Sequence, residues 1–350
     1  MLAPITHILP ITTIRRERFL PVAGKVLVRS GQKVNPTDTV AEVNLYPKHQ
    51  LLDIGRGLGV SVDQADPLMK CQAGDQILKG DVIAGPIGFT RRLIRATHDG
   101  KVILAGSGQV LLELAGKPFQ LKAGLPGEVV DLVPDRGAII EVDGGLIQAV
   151  WGNGRIDFGL MSVLAQEPEH IITADQLDVS LRGAIIMGGC CQDAEVLKTA
   201  EQLPLRGLIL SSMWPELVPL AKKLSIPVII TEGLGNYPMN SVAYKLLSTN
   251  DRREVAVIAE PWDSYKGTRP EIIIPLPGSE HTTAPQEMGY FGPNQQVRVL
   301  RAPFVGKIGT ILNLINKAEF PSGLKAPAAE VQLETGKKAV LPLANLEILA

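Results

Sequence analysis

The sequence predicts a multidomain protein that joins a small parallel α/β sheet to all-β modules. Three observations predict this class. Apolar runs and amphipathic segments alternate four times between residues 183 and 258. Short strand-like phrases joined by glycines fill residues 20–115, and 35 glycines with 26 prolines indicate many tight turns. With 350 residues, of which 45% are hydrophobic and 20% charged, the chain is long and apolar enough to bury several cores.

The alternation in the middle of the chain has the pattern of βα units. Unbroken apolar runs, typical of a parallel sheet covered on both faces, predict strands at 183–187, 207–210, 227–230 and 254–258. Segments with a single apolar stripe predict helices at 192–203, 217–224 and 239–247. Right-handed crossovers onto one parallel sheet are the favoured topology.

Polar residues follow three of these strands, at the point where each strand is predicted to end. In open α/β sheets, ligands bind beyond the carboxyl ends of the strands. The candidate ligand residues, in the loops after Met187, Leu210 and Ile230, are Gly188, Gly189, Ser211, Ser212, Thr231 and Glu232. Residues of these types are equally the turns and caps that such a fold needs, and no GxGxxG or P-loop pattern occurs. A small-molecule-binding or enzymatic α/β domain is therefore the alternative hypothesis for function.

Residues 20–115 repeat one phrase, a short strand followed by a glycine turn and a second strand, in AGKVLVRSGQKV and again in AGDQILKGDVIA. This region resembles the barrel-sandwich fold of lipoyl and biotinyl domains. The resemblance implies a carrier lysine near Lys48, but Pro47 stands where the family has an acidic residue. We therefore expect a structural module in which Lys48 is an unmodified loop residue; a loaded carrier is the remaining alternative.

The β character continues through residues 126–165. Strands at 137–142 and 146–151, joined by Asp143-Gly144-Gly145, predict a hairpin. The turn at 151–155 combines Trp151, two glycines and Arg155, which is a candidate clamp for an anion. The alternative is a purely structural turn with Trp151 packed between domains.

The segments 206–212 and 226–233 resemble the swivelling phosphohistidine domain of phosphoenolpyruvate-utilising enzymes, through the phrase IPVII. No histidine lies between His170 and His281, so the resemblance implies the fold without the phosphocarrier chemistry. A nucleophilic Cys190 would need a basic partner, and no histidine is near it in the sequence.

The stretch QVRVLRAPFVGKIGTI at residues 296–311 resembles the KOW motif of bacterial transcription elongation factors, with Ala302 where the family has a glycine. The resemblance implies a five-stranded SH3-like barrel at 296–350 that contacts RNA or a protein of the transcription or translation machinery. Seven basic and four acidic side chains give this segment a net charge of +3, which favours an anionic partner. The face expected to meet it carries Arg298, Arg301 and Lys307. Three cations predict weak RNA binding with a salt slope of at most about three.

Composition excludes several classes of function. A net charge of -1 argues against specific duplex DNA binding and against a membrane surface. The low aromatic content of 4% argues against large stacking platforms for single-stranded nucleic acid. No apolar run reaches the ~20 residues of a membrane span. The scattered histidines and the missing catalytic arrangements predict no metal, no cofactor and no catalytic residues. Cys71, Cys190 and Cys191 lack a CxxC spacing, as expected for reduced thiols in a cytoplasmic protein.

These interpretations divide the chain into five parts. They are a barrel-sandwich domain at 1–115, a β-rich extension at 116–175, an α/β domain at 176–277, a linker rich in Pro, Gly, Ser and Thr at 278–295, and a KOW-like barrel at 296–350. The favoured function is that of a non-catalytic binding or scaffold protein whose C-terminal barrel contacts its partner.

Overall fold

A computed structural model describes residues 2–45, 48–89, 91–114, 116, 118–263, 268–276 and 288–350. Strands make up 49% of the described residues and helices 14%, so β structure dominates and the α/β part is the smaller one. The mixture of sheets with an α/β portion agrees with the predicted class at this coarse level. None of the sheets in the described residues closes into a barrel.

The strands are short and numerous, as the glycine and proline content predicts. Those of the first part are β1 (Leu2–Thr6), β2 (Ile8–Phe19), β3 (Lys25–Val26), β4 (Lys33–Val34), β5 (Thr39–Val43), β6 (Lys48–Asp53), β7 (Gln76–Ile77), β8 (Val82–Ile87), β9 (Arg92–Arg95), β10 (Gly100–Gly106), β11 (Gln109–Leu114), β12 (Phe119–Lys122), β13 (Gly127–Val133) and β14 (Gly137–Gln148). Those of the second part are β15 (Trp151–Gly152), β16 (Ile156–Val163), β17 (Ile171–Ile172), β18 (Ile185–Cys191), β19 (Gly207–Met213), β20 (Val228–Leu234), β21 (Glu254–Ile258), β22 (Glu271–Pro275), β23 (Met288–Tyr290), β24 (Gln296–Val299), β25 (Ile308–Glu319), β26 (Lys325–Leu333), β27 (Lys338–Pro342) and β28 (Leu346–Leu349). The helices are α1 (Ile54–Leu58), α2 (Val62–Ala65), α3 (Ala194–Gln202), α4 (Val218–Ala221) and α5 (Ser241–Ser248).

The largest layer is a twelve-stranded sheet, which we call the central sheet. Its strand order is β15-β20-β19-β18-β16-β21-β22-β14-β13-β4, with β17 beside β18 and β2 beside β14. Helices α3 and α4 cover one face, through Val196 and Ala221 among others. Helix α5 covers the other face through Ala243 and Leu247. The predicted domain boundaries at residues 116 and 176 both fall within the span of this one sheet.

The predicted parallel sheet is confirmed for its first three strands and wrong for the fourth. Strands β18, β19 and β20 pair in parallel, and β16 joins them in the same direction. Strand β21, however, pairs antiparallel with both β16 and β22. An unbroken apolar run indicates burial on both faces but carries no information on strand direction, which is why the sequence pattern fails here.

The predicted hairpin at Asp143-Gly144-Gly145 is also wrong, because β14 runs straight through it. The glycines serve close approach instead of a turn. A Cβ atom on Gly144 would lie 2.2 Å from the carbonyl oxygen of Ile274 on neighbouring β22. The pairing of β14 with β2 shifts register between Gly144 and Leu146, so the two glycines lie at a β-bulge.

The region predicted as a barrel-sandwich domain contributes to more than one sheet. Strands β6-β11-β10-β7, β12-β5-β3 and β8-β9 form three small sheets. The first of these sheets packs against helix α1. Together they enclose a separate apolar core, to which Ile54, Leu58 and Leu112 belong. Strand β2 belongs to the central sheet, and β1 belongs to the sheet at the other end of the chain. For residues 20–115, the resemblance to lipoyl domains stays a prediction.

The C-terminal residues form a seven-stranded sheet, which we call the C-terminal sheet, in the order β23-β1-β28-β24-β25-β26-β27. Residues 296–350 supply five of these strands, as predicted, but the strands do not close into a barrel. Strand β1 joins them, since it pairs parallel with β28 and antiparallel with β23. Strand β28 would otherwise leave an unpaired edge, which β1 covers. Strand β23 lies inside the predicted linker; residues 278–287 of that linker lie outside the described residues.

Candidate functional site

The polar residues predicted to lie in loops after β18, β19 and β20 are inside the strands. Each strand continues three or four residues beyond its apolar run, to Cys191, Met213 and Leu234. The extension is possible because glycine and serine side chains are small enough to be buried at these positions. The interpretation of the sequence placed the strand ends too early, because it ended each strand at its last large apolar residue.

The register brings these residues close together in the sheet. Cys190 pairs with Ser212, which in turn pairs with Gly233. Gly188 and Gly189 make room for β17: added Cβ atoms would lie 2.6 Å from the Ile172 side chain and 2.1 Å from the His170 carbonyl oxygen, respectively. These contacts give the two glycines a structural reason that is independent of any ligand.

The two adjacent serines are both fully buried but differ in their hydrogen bonds. The Ser212 hydroxyl donates to the Tyr237 carbonyl oxygen at 2.9 Å and accepts from the Tyr237 N–H at 3.0 Å. The Ser211 hydroxyl has no hydrogen-bond partner among the described residues. The Thr231 hydroxyl donates to the Leu210 carbonyl oxygen at 3.4 Å. Ser212 therefore fixes the segment after β20, which carries Tyr237.

The arginine predicted as an anion clamp lies away from this group. Arg155 is exposed, and its Nε donates to the Leu224 carbonyl oxygen at 3.3 Å. Its neighbour Asn153 donates from its backbone to Val228, the first residue of β20. Arg155 thus lies at the amino-terminal end of β20, whereas Glu232 lies near the carboxyl end of that strand.

The three cations predicted to share one exposed face are separated. Arg301 and Lys307 are exposed. Arg298 is only 2% exposed, and its Nη2 lies 3.1 Å from Oε2 of Glu232 on β20. Its Nη1 also donates to the Thr231 carbonyl oxygen at 3.3 Å. The prediction of a partner-facing Arg298 is wrong, because the central sheet covers this side of the C-terminal sheet.

A second buried ion pair lies beside the first. Glu347 of β28 is directly opposite Arg298 in the strand register. One Glu347 oxygen lies 3.6 Å from Nη2 of Arg269 and accepts a hydrogen bond from the hydroxyl of Thr6. Arg269 also donates to the Ile5 carbonyl oxygen and to the Thr6 hydroxyl. Burial lowers the pKa of the Arg269 guanidinium, and the charge of Glu347 acts in the opposite direction.

These two pairs adjoin a cavity of about 290 Å³ between the two sheets. That volume is at the lower end of the range for small-molecule sites, roughly 300 Å³ and above. The residues that line it come from both sheets and from the segments between their strands: Pro4, Val150, Glu232, Gly233, Leu234, Tyr237, Trp262, Arg298, Val299, Leu300, Val305 and Glu347. Of the residues predicted from the sequence as ligand or partner contacts, Glu232 and Arg298 line it.

The donor that matters most at this cavity belongs to Arg298. Its Nε–H is buried and has no hydrogen-bond partner among the described residues. A buried donor of this kind is expensive in free energy unless a solvent or ligand atom accepts from it. Arg298 is also one of the residues that line the cavity.

Tyr237 closes the cavity from the side of the central sheet. Its ring packs against Gly306 of the C-terminal segment, where an added Cβ atom would lie 2.9 Å from the ring. Gly306 has a φ of +74°, a conformation that favours glycine. Trp262 is half-exposed, and its ring lies 4.8 Å from the Arg269 guanidinium in a cation–π contact.

The part of the chain that the structure describes offers few other groups for metal binding or nucleophilic catalysis. No group of three His, Cys, Asp or Glu side chains there is arranged to hold a metal ion. All three cysteines are free and buried. Burial raises the pKa of the Cys191 thiol to about 12, which removes it as a nucleophile at neutral pH. Lys48, the candidate carrier lysine, is exposed at the start of β6, and Pro47 lies outside the described residues.

Ten of the twelve lining residues were not predicted as contacts from the sequence, and Pro4, Tyr237, Trp262 and Glu347 are among them. The sequence does mark Glu347 as unusual, because it is a single charge within the apolar segment Leu346–Leu349. Arg298 is likewise a single charge between Val297 and Val299. Trp262 is one of only three tryptophans in the sequence. Neither signal indicates which segment the residue contacts.

Comparison with known proteins gives no family. The chain matches no protein-family model and no curated protein sequence. None of the helices in the described residues is long and apolar enough to cross a membrane.

Proposed function

We propose that the protein is a non-catalytic binding protein whose ligand is a small organic molecule held between the central and C-terminal sheets. The observation that carries this proposal is a largely apolar cavity lined by the buried residue Arg298, whose Nε–H has no partner among the described residues. Ligand sites combine apolar walls with a few convergent polar groups, and this cavity has that composition.

Binding is favoured over catalysis by the state of the carboxylates. Glu232 and Glu347, the acids that line the cavity, are each engaged by a buried arginine. A carboxylate in an ion pair is a poor general base, because the arginine stabilises its charged form. The arrangement recognises a ligand better than it moves a proton.

The test is a thermal-shift survey of small polar metabolites on the full chain. A ligand present at a hundred times its Kd stabilises the folded state by about 2.7 kcal/mol. Val305→Trp fills the cavity and removes this shift. Val340→Trp is the matched control, since Val340 is 46% exposed on β27 and does not line the cavity.

Val305→Trp must first show a wild-type circular dichroism spectrum; if it does not, Leu300→Trp at the cavity rim replaces it. Indifference of the wild-type protein to a broad panel contradicts the proposal. An equal shift in wild type and in the filled variant places the ligand elsewhere and contradicts it as well.

A second candidate function keeps the expected contact with RNA, and a different group of cations supports it. Arg301, Lys307 and Lys337 are all exposed. The Lys337 ammonium lies 5.0 Å from the ring of Phe304, a residue of the loop that also carries Arg301 and Lys307. We propose that these three residues, with Lys337 in place of the buried Arg298, contact an RNA backbone.

Weak, salt-sensitive binding of single-stranded RNA by the full chain is expected, and the variant Arg301→Glu/Lys307→Glu/Lys337→Glu abolishes it. The charge-matched control is Lys222→Glu/Lys223→Glu/Lys245→Glu, which changes three exposed lysines of the helical layers. RNA binding that both triple variants lose equally reflects net charge alone and contradicts this second proposal. Binding of a protein instead of RNA by the same surface also contradicts it.

A further inference from the structure

The cavity between the sheets has a charged floor and an apolar rim. Arg298, Glu232 and Glu347 are 2%, 9% and 3% exposed, respectively, and form its floor. Trp262, Leu234 and Leu300 are 50%, 40% and 40% exposed, respectively, and form its rim. A ligand that fits this gradient places a polar head on the floor and an apolar body against the rim.

The charges around the floor are balanced. Arg298 pairs with Glu232, and Arg269 pairs with Glu347. A ligand with a net charge would add an unpaired charge to a buried set, which is costly where solvent is excluded. The set therefore favours a head group that is neutral overall.

The floor retains both a hydrogen-bond donor and hydrogen-bond acceptor positions. The Arg298 Nε–H is a cationic donor without a partner in the described part of the chain. Glu232 uses one oxygen for Arg298 and accepts from the Asn240 N–H with the other, at 3.0 Å. Each carboxylate oxygen has two acceptor sites, so Glu232 and Glu347 retain capacity for a further donor. Hydrogen bonds between ionised groups are stronger than those to neutral groups.

A head group that is neutral overall but carries both a carboxylate and an ammonium satisfies both requirements. The carboxylate accepts from the Arg298 Nε–H, and the ammonium donates to the floor carboxylates. The cavity volume of about 290 Å³ admits a single small molecule. For an apolar body, the rim supplies the indole of Trp262 and the aliphatic side chain of Leu300, and the cavity wall adds the phenol of Tyr237.

We propose that the ligand of this cavity is an apolar α-amino acid, held through its zwitterionic head on Arg298, Glu232 and Glu347. This inference rests on the proposed function, since it names the chemical class of the ligand for the same cavity. It excludes phosphate-bearing metabolites as the preferred ligands, because a phosphate brings excess negative charge to a floor with two carboxylates.

The test is isothermal titration calorimetry of the full chain with L-phenylalanine and L-leucine. Two analogues each lack one charge: 3-phenylpropionate has no ammonium, and 2-phenylethylamine has no carboxylate. The amino acid is expected to bind at least about tenfold more tightly than either analogue, because each analogue leaves a charged group of the floor without its partner. Arg298→Lys keeps the charge next to Glu232 but lacks the Nε–H, and it is expected to weaken phenylalanine binding by about tenfold or more.

A control variant separates a loss of binding from a loss of fold. Arg301→Lys makes the same chemical change on the exposed arginine three residues away and is expected to leave binding unchanged. Binding of 3-phenylpropionate as tight as that of phenylalanine, abolished by Val305→Trp, overturns the zwitterion and leaves the proposed function standing. Absence of binding by every small molecule tested overturns both. Equal phenylalanine binding by wild type and Arg298→Lys overturns the assignment of Arg298.

Discussion

The ion pair between Arg298 and Glu232 joins the two sheets, and its removal is expected to have a large and non-additive effect. Both side chains are almost fully buried, at 2% and 3% exposure. Arg298→Met leaves Glu232 buried without its cation, and Glu232→Gln leaves the guanidinium without its anion. Breaking a buried pair from one side destabilises proteins by about 3–5 kcal/mol, and we expect each single variant to fall in that range.

The double variant is expected to be much less destabilised than the sum of the two. At an N–O distance of 3.1 Å, the Coulomb attraction is about 5 kcal/mol with an effective dielectric constant of ~20. Most of this attraction offsets the desolvation of the two ions, so replacing both together removes the attraction and the desolvation cost at once. We expect a coupling free energy of about 2–4 kcal/mol in the double-mutant cycle.

The assay is urea unfolding followed by tryptophan fluorescence, which includes the signal of Trp262 at the cavity. The control is the pair Lys325 and Glu319, which has the same N–O distance of 3.1 Å but side chains that are 53% and 64% exposed. Its coupling is expected to be about 1 kcal/mol or less. Additive single variants at Arg298 and Glu232, or a coupling no larger than that of the exposed pair, refute the reasoning.

Three further predictions concern residues outside the cavity. Ser212→Ala is expected to destabilise the protein by about 1–3 kcal/mol, because it removes both hydrogen bonds to Tyr237, whereas Ser211→Ala is neutral or stabilising; equal unfolding free energies contradict this. Gly137→Ala is expected to lower the free energy of unfolding by about 1–3 kcal/mol more than Gly106→Ala. The two glycines have similar φ angles, +152° and +149°, but only at Gly137 does the added Cβ meet a backbone oxygen, at 2.0 Å. Urea unfolding of both variants measures the difference, and equal losses contradict the prediction. Native Cys191 is expected to resist iodoacetamide at pH 8 and to react in denaturant, because burial raises its pKa to about 12; mass spectrometry that finds rapid native labelling contradicts this. The same shift predicts that stability falls above pH 9, where the unfolded thiol ionises and the folded one does not.

The sequence predicts local structure well where one face or both faces of an element meet a core. Helices α3 and α5 begin and end within about two residues of their predicted bounds, and α4 is shorter than predicted. An apolar stripe at helical spacing is compatible with few structures other than an amphipathic helix. Strand direction at β21 and the continuity of β14 were not predictable, since an apolar run or a glycine pair is compatible with more than one arrangement. The ends of β18, β19 and β20 were missed because buried glycine and serine look like loop residues in a sequence.

The candidate site shows a more general limit. Along β24, alternation correctly places Val297 and Val299 in the core of the C-terminal sheet and Arg298 on its opposite face. The same alternation along β28 places Glu347 on that opposite face. An outward position was interpreted as an exposed one. No local pattern reveals that a second sheet covers this face, because Thr231, which contacts Arg298 there, lies 67 positions away in the sequence.

The chemistry of the covered face indicates why it carries charges at all. Apolar side chains of similar volume would join two sheets at least as firmly as a buried ion pair does, so stability alone gives no reason for Arg298 and Glu232. The Arg298 Nε–H, for which the described part of the chain offers no acceptor, gives such a reason if a ligand uses it. The double variant Arg298→Met/Glu232→Gln separates the two roles: a ligand role requires that it stays folded but loses phenylalanine binding. A double variant that still binds phenylalanine would assign the charges to the joining of the two sheets.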